Sequence, residues 1–154
     1  MEIERKYLID KESFDYEKYP HIVLEQGYLS TSPVIRIRKS DDNYYLTYKG
    51  EGLMAREEYN LPLTEESYLH LLTKCDGVII KKRRHLIPFG KYTIELDVFD
   101  APFAPLIMAE VEFESVDEAN SFVPPSWFLT EVTKDKRYHN SNMSKGEIPP
   151  AYLA

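Results

Sequence analysis

The chain opens on MEIERKYLI, residues 1–9, and the alternation within it decides the fold. Glu2, Glu4 and Lys6 occupy every second position, with Ile3, Arg5 and Tyr7 between and after them. In a β-strand, successive side chains point to opposite faces, so the three ionisable groups share a face, with neighbours about 6.6 Å apart. Two carboxylates at that spacing repel by about 2–3 kcal/mol at an effective dielectric near 20. Such a face needs either open water or something that offsets the repulsion.

The same period of two recurs along the chain. It predicts strands over about 2–9, 25–30, 34–39, 44–49, 56–61, 79–87, 92–99 and 107–114. Ser40-Asp41-Asp42-Asn43 reads as a hairpin turn and Gly50-Glu51-Gly52 as a loop. One helix is expected after Thr64, which can cap it. Its apolar stripe is Tyr68, Leu71, Leu72 and Cys75, and its stop is Asp76-Gly77. Shorter helices are expected near 11–18, 117–122 and 134–143. No internal repeat or long linker interrupts the pattern, so residues 1–154 are expected to form one domain.

The faces carry sorted charge. Arg36 and Arg38 share a face, as do Thr47 with Lys49, Arg56 with Glu58, Glu95 with Asp97, and Glu110 with Glu112 and Glu114. Lys82 and Arg84 share another, although Lys81 and Arg83 on the opposite parity leave that strand's register open. A single polar face is ordinary for a half-exposed strand. Rows of one sign, each backed by an apolar side, are costly on a free surface. A closed eight-stranded antiparallel β-barrel reconciles both patterns, giving a mainly β (α+β) fold with a charged interior and a few flanking helices. An acidic wall facing a basic one suits hard divalent cations, Mg²⁺ or Mn²⁺, together with a polyphosphate anion.

Composition sets the remaining bounds. A net charge of −7 gives no global basic field for extended nucleic acid or an anionic membrane. The one cysteine, Cys75, excludes an intramolecular disulfide and fits a reducing cytoplasm. No apolar run is long enough to predict a membrane span. His21, His70, His85 and His139 lack metal-ligand spacing and are expected to pack or face solvent. Barrel closure removes sheet edges, so a monomer or a weak homodimer is expected.

The EIERK stretch matches the ExExK signature of the CYTH superfamily, the triphosphate tunnel metalloenzymes. Further matches follow in order: QGYL at 26–29, VIRIR at 34–38, LTYKG at 46–50, YTIELDVF at 92–99, AEVEF at 109–113 and EVTKDKRYHN at 131–140. The chain therefore resembles the short bacterial, inorganic triphosphatase-like branch of that superfamily. The resemblance implies metal-dependent hydrolysis of a small triphosphate, with tripolyphosphate preferred and two ions engaged during turnover. Alternatives on the same scaffold are a thiamine or nucleoside triphosphatase, an enzyme acting on RNA 5′-triphosphate ends, a class IV-type adenylate cyclase, or a non-catalytic polyphosphate-binding module. By the same resemblance Glu2, Glu4, Glu110 and Glu112 are metal ligands, assisted by Asp97 or Glu95. Lys6, Arg36, Arg38, Lys49, Arg56, Lys82 and Arg84 bind phosphates, with Lys136 and Arg137 added from a C-terminal helix. Glu58 or Glu114 is expected to take the proton from the attacking water, and Lys6 to act electrostatically beside it.

Overall fold

The computed structural model describes residues 1–152. In chain order it contains β1 (Glu2–Ile9), a 3-10 turn (Tyr16–Lys18), β2 (His21–Thr31), β3 (Val34–Ser40), β4 (Asn43–Lys49), β5 (Ala55–Arg56) and β6 (Glu58–Pro62). Helix α1 (Glu65–Leu72), β7 (Asp76–Phe89), β8 (Tyr92–Phe99), β9 (Ile107–Glu112), α2 (Val116–Ser121) and β10 (Phe128–Glu131) follow. The chain ends on a second 3-10 turn (Lys136–Tyr138) and α3 (Asn140–Met143).

The strands pair antiparallel in the order β10-β1-β9-β8-β7-β2-β3-β4-β6. The ladder then returns to its start. One residue before β6, β5 pairs with the beginning of β1, Glu2 opposite Arg56 and Ile3 opposite Ala55. Segment 55–62 thus acts as one strand broken at Glu57: its first part meets β1 and its second part meets β4. Counted that way, eight strands close the ring expected from the alternation. The addition is β10, which lies along the other half of β1 through Tyr7–Glu131 and Ile9–Phe128.

Apolar side chains fill two places. Outside the barrel, Ile94, Leu96, Ala109 and Val111 pack under Phe122, Trp127 and Phe128, which α2 and β10 bring over the sheet. Inside, the charged faces run on into apolar residues at one end. Leu8, Val34, Ile80, Phe99 and Met108 continue the faces of Lys6, Arg36, Lys82, Asp97 and Glu110 and meet Phe103, Val132, Tyr138 and Met143. The interior is therefore half charged cavity and half apolar plug, where the alternation led us to expect charge throughout. Period two determines which way a side chain points, and the C-terminal segment decides which stretch of the inward face is covered.

Helix α1 starts as expected, the Thr64 hydroxyl accepting from the Ser67 amide at 3.0 Å. It ends at Leu72, short of Cys75, because Asp76 and Gly77 begin β7 instead of closing the helix. Gly77 sits at φ +71, and a Cβ there would be driven into the Ser144 carbonyl, the oxygen that accepts from the Val78 amide at 2.6 Å. Gly77→Ala should thus cost at least about 1–2 kcal/mol of stability from its left-handed backbone alone. A thermal melt unchanged from wild type would contradict this.

Candidate active site

The inward faces enclose a cavity of about 230 Å³. β1 brings Glu2, Glu4 and Lys6 to it, β3 Arg36 and Arg38, β4 Lys49, β5 Arg56 and β6 Glu58; β7 adds Lys82 and Arg84, β8 Glu95, and β9 Glu110 and Glu112. These thirteen expected residues share one space. The register left open in β7 resolves to the even positions: Lys82 is 2% exposed, while the Lys81 and Arg83 side chains face outward.

Four expected residues stand elsewhere. β9 ends at Glu112, so Glu114 falls beyond the strand and lines an adjoining outer pocket with Lys91, Tyr92 and Glu118, which shares Glu95 and Glu112 with the cavity. Asp97 points inward but lies beneath the cavity surface. Lys82 holds it at 2.6 Å and Arg84 grips it through two nitrogens at 2.8 and 3.0 Å. A carboxylate committed to two cations has little left for a metal. The second 3-10 turn buries Tyr138 and leaves Lys136 and Arg137 outside. Lys136 lines an adjoining outer pocket, and Arg137 pairs with Asp135 at 2.7 Å. In their place the C-terminal segment contributes two neutral residues to the cavity, Asn140 and Ser141.

The acidic wall is compact. Glu2, Glu4 and Glu112 each present a carboxylate oxygen within 4.8 Å of the others. Crowding them raises the cost of ionisation. Burial, then the charges of Glu110 and Glu2, push Glu4 up to about 8. Glu112, which opens to solvent on one side, goes up to about 7 through partial burial and the charges of Glu95 and Glu2. Glu2 is raised by burial in spite of Lys49. Three hard oxygen donors that burial and mutual repulsion keep protonated fit a divalent cation, which would offset both.

Glu58 behaves oppositely. Burial works against its charge, but a hydrogen bond from Glu2 and the Lys49 ammonium hold it down to about 2. Lys49 sits 2.8 Å from Glu2 and 3.4 Å from Glu58. Glu58 thus stands in the cavity as a charged carboxylate beside Glu2 and Lys49.

The basic wall divides in two. Lys6 lies 3.4 Å from Glu110 and also donates to the Tyr138 carbonyl at 3.1 Å. Burial opposes its charge, and Glu110 and Glu4 outweigh burial to raise it. Arg84 contacts Glu95 at 2.9 Å and Glu110 at 3.7 Å as well as Asp97, and Glu110 is held well below the usual carboxylate range by Lys6 and Arg84 against its own burial. Burial, with Arg84 and Arg38 nearby, draws Lys82 down to about 7 despite Asp97. Arg36 and Arg38 differ from all of these: their side chains are held by neutral groups, Thr47 and Gln26. The Arg36 Nε is buried with no hydrogen-bond partner.

Gln26, Tyr28, Asn60 and Asn140 also line the cavity and were not expected there. They are uncharged, so a search for rows of charge passes over them. Gln26 and Tyr28 lie within QGYL and Asn140 ends EVTKDKRYHN, so position within those stretches was the available signal.

Comparison with known proteins finds matches along nearly the whole chain. The description "CYTH domain" matches residues 1–145. An inorganic triphosphatase from Nitrosomonas europaea is 38% identical over 148 residues, 93% of this chain and 96% of that one. One from Acetivibrio thermocellus is 34% identical over 149 residues, covering 94% and 93%. The crystal structure of the inorganic triphosphatase NE1496 superposes with a TM-score of 0.68 at 35% identity, covering 94% of this chain and 95% of that one. No helix among the described residues is long and apolar enough to cross a membrane. With its sorted charges turned into one barrel cavity and this match along nearly its whole length, the chain belongs to the CYTH domain family.

Proposed function

We propose that this protein is a divalent-metal-dependent triphosphatase that cleaves inorganic tripolyphosphate to diphosphate and phosphate. One observation carries the reading: the cavity sets the Glu2, Glu4 and Glu112 carboxylates against two arginines, Arg36 and Arg38, that are not ion-paired. The two relatives named above, both inorganic triphosphatases, support it. The sole aromatic residue lining the cavity among the described residues is Tyr28, whose hydroxyl is engaged by Gln26 at 3.0 Å. Tyr45 and Tyr59 are exposed, so the tyrosines that a nucleotide base would stack on are not gathered here. That favours an inorganic substrate over cyclisation of ATP.

Glu2, Glu4 and Glu112 would hold the metal, Mg²⁺ or Mn²⁺, which when bound would neutralise phosphate charge and lower the pKa of a water so that hydroxide is available to attack phosphorus. Arg36 and Arg38 grip the polyphosphate through charge-assisted hydrogen bonds. Lys6 and Arg84, anchored on Glu110, hold positive charge beside the transferring group and stabilise the leaving diphosphate. Lys49 keeps Glu2 facing the cavity. The apolar plug closes one end of the interior, so the phosphates meet fixed donors rather than bulk water.

Phosphate release from tripolyphosphate, ATP and diphosphate, with and without Mg²⁺ or Mn²⁺, tests the reading. Tripolyphosphate is expected to be the preferred substrate and chelator to stop release. Undiminished release in excess chelator, or preference for ATP, contradicts it. Because Glu4 and Glu112 keep protons up to about 8 and 7, the cation must displace them, so metal affinity should climb as pH rises from about 6 to 8. Affinity independent of pH over that range would count against this ligand set.

A further inference from the structure

Arg36 and Arg38 stand out because of what holds them. Every other lysine or arginine of the cavity is ion-paired, whereas these two are anchored by uncharged oxygens. Arg38 is the more elaborately held. Its Nε and Nη2 both donate to Gln26 Oε1, at 2.9 and 2.7 Å. Gln26 is fully buried, opposite Arg38 in the β2–β3 register.

An amide could equally present its nitrogen, and a chain of contacts decides that it does not. Lys82 donates to Asn140 Oδ1 at 2.9 Å. That fixes the Asn140 amide with its oxygen toward Gln26, whose Nε2 donates to it at 3.2 Å and to the Tyr28 hydroxyl at 3.0 Å. With both amide hydrogens engaged there, the Gln26 oxygen is left to face Arg38. A glutamate at this position would make the same fork to Arg38 and cancel its charge.

We propose that Gln26, oriented by Asn140, is a positioning residue for substrate binding: it fixes the Arg38 guanidinium through a neutral oxygen and so leaves the full charge available to a phosphate group. This rests on the triphosphatase reading above and identifies the groups that set affinity for the polyphosphate. The neighbouring charges agree with it. Burial, together with Arg36 and Arg84, lowers Arg38 to about 9, a guanidinium that gains from an incoming anion.

The test is direct titration of tripolyphosphate in chelator, where nothing turns over, alongside KM and kcat with saturating Mg²⁺. Gln26→Glu should weaken binding on the order of 10- to 100-fold, the value of one charged hydrogen-bonding group. KM should rise by a similar factor, with kcat changed far less and the melting temperature retained. Gln26→Met, which keeps the Arg38 charge but frees its geometry, should weaken binding by only a few-fold. In the Gln26→Glu background, Arg38→Ala should add little to the loss, whereas in the wild type it should cost as much as Gln26→Glu. A folded Gln26→Glu protein that binds as tightly as wild type overturns the proposal. So does Gln26→Met binding unchanged, should the glutamate variant fail to fold. Absence of tripolyphosphate binding and hydrolysis by the unaltered protein overturns the triphosphatase reading itself, a result separable from either.

Discussion

Replacing Glu4 by Gln is expected to reduce tripolyphosphate turnover by on the order of 10²–10⁴-fold, the several kcal/mol that a bound metal contributes to stabilising transition-state charge. The fold should survive. Gln is close in shape to a protonated glutamate, and Glu4 already keeps its proton up to about pH 8 in the metal-free protein. A carboxyl whose folded pKa lies above its unfolded value stabilises the fold fully below the unfolded pKa and loses that contribution as pH rises through the folded one. Without metal, wild type should therefore lose stability from about pH 4.5 toward 8, and the variant should lose less of it. Adding Mg²⁺ at pH 8 should restore wild type and leave Glu4→Gln unchanged. Turnover within tenfold of wild type in a folded Glu4→Gln protein would remove Glu4 from the metal-binding set.

Replacing Arg84 by Met should act on the fold as well as on turnover. Arg84 is the common partner of Asp97, Glu95 and Glu110, and Asp97 is only 1% exposed. Losing one member of a buried charge cluster leaves the others uncompensated, at a cost of about 3–5 kcal/mol. For a chain of this length that lowers the melting temperature by about 10 °C. Adding Asp97→Asn to Arg84→Met should recover part of the loss, since it removes the carboxylate left with Lys82 alone. If the single variant melts like wild type, the network does not hold the barrel interior as described.

The contrast between these two residues shows what the linear pattern carries. Glu4 and Arg84 have the same kind of signature, a charge on an inward-facing strand position, yet one faces the cavity beside two other carboxylates and the other is gripped by three acids. Parity was enough to place Glu4 in the interior and left Arg84 undecided against Lys81 and Arg83, and the partners of both come from strands far apart in sequence. Asp97 shows the same gap: its position on β8 matched Glu95, while two cations from β7 had already claimed it. Glu114 shared the parity of Glu112, but β9 stops between them.

Neutral residues were the other blind spot. Gln26 and Asn140 carry no charge and so no signal in the alternation, and their significance lies in the orientation of two amides set by Lys82 from another strand. The strand β10 was missed because four residues, Phe128–Glu131, are too short for a period of two to stand out.

By itself, then, the sequence determined that this is a β-barrel with inward rows of opposite charge, because side-chain direction in a strand is a local property of the backbone. Only the tertiary structure decided which acids meet at one point, which cations stay unneutralised, and where the interior turns apolar. Those depend on cross-strand register and on the C-terminal segment folding back over the barrel, and no local stretch of residues encodes either.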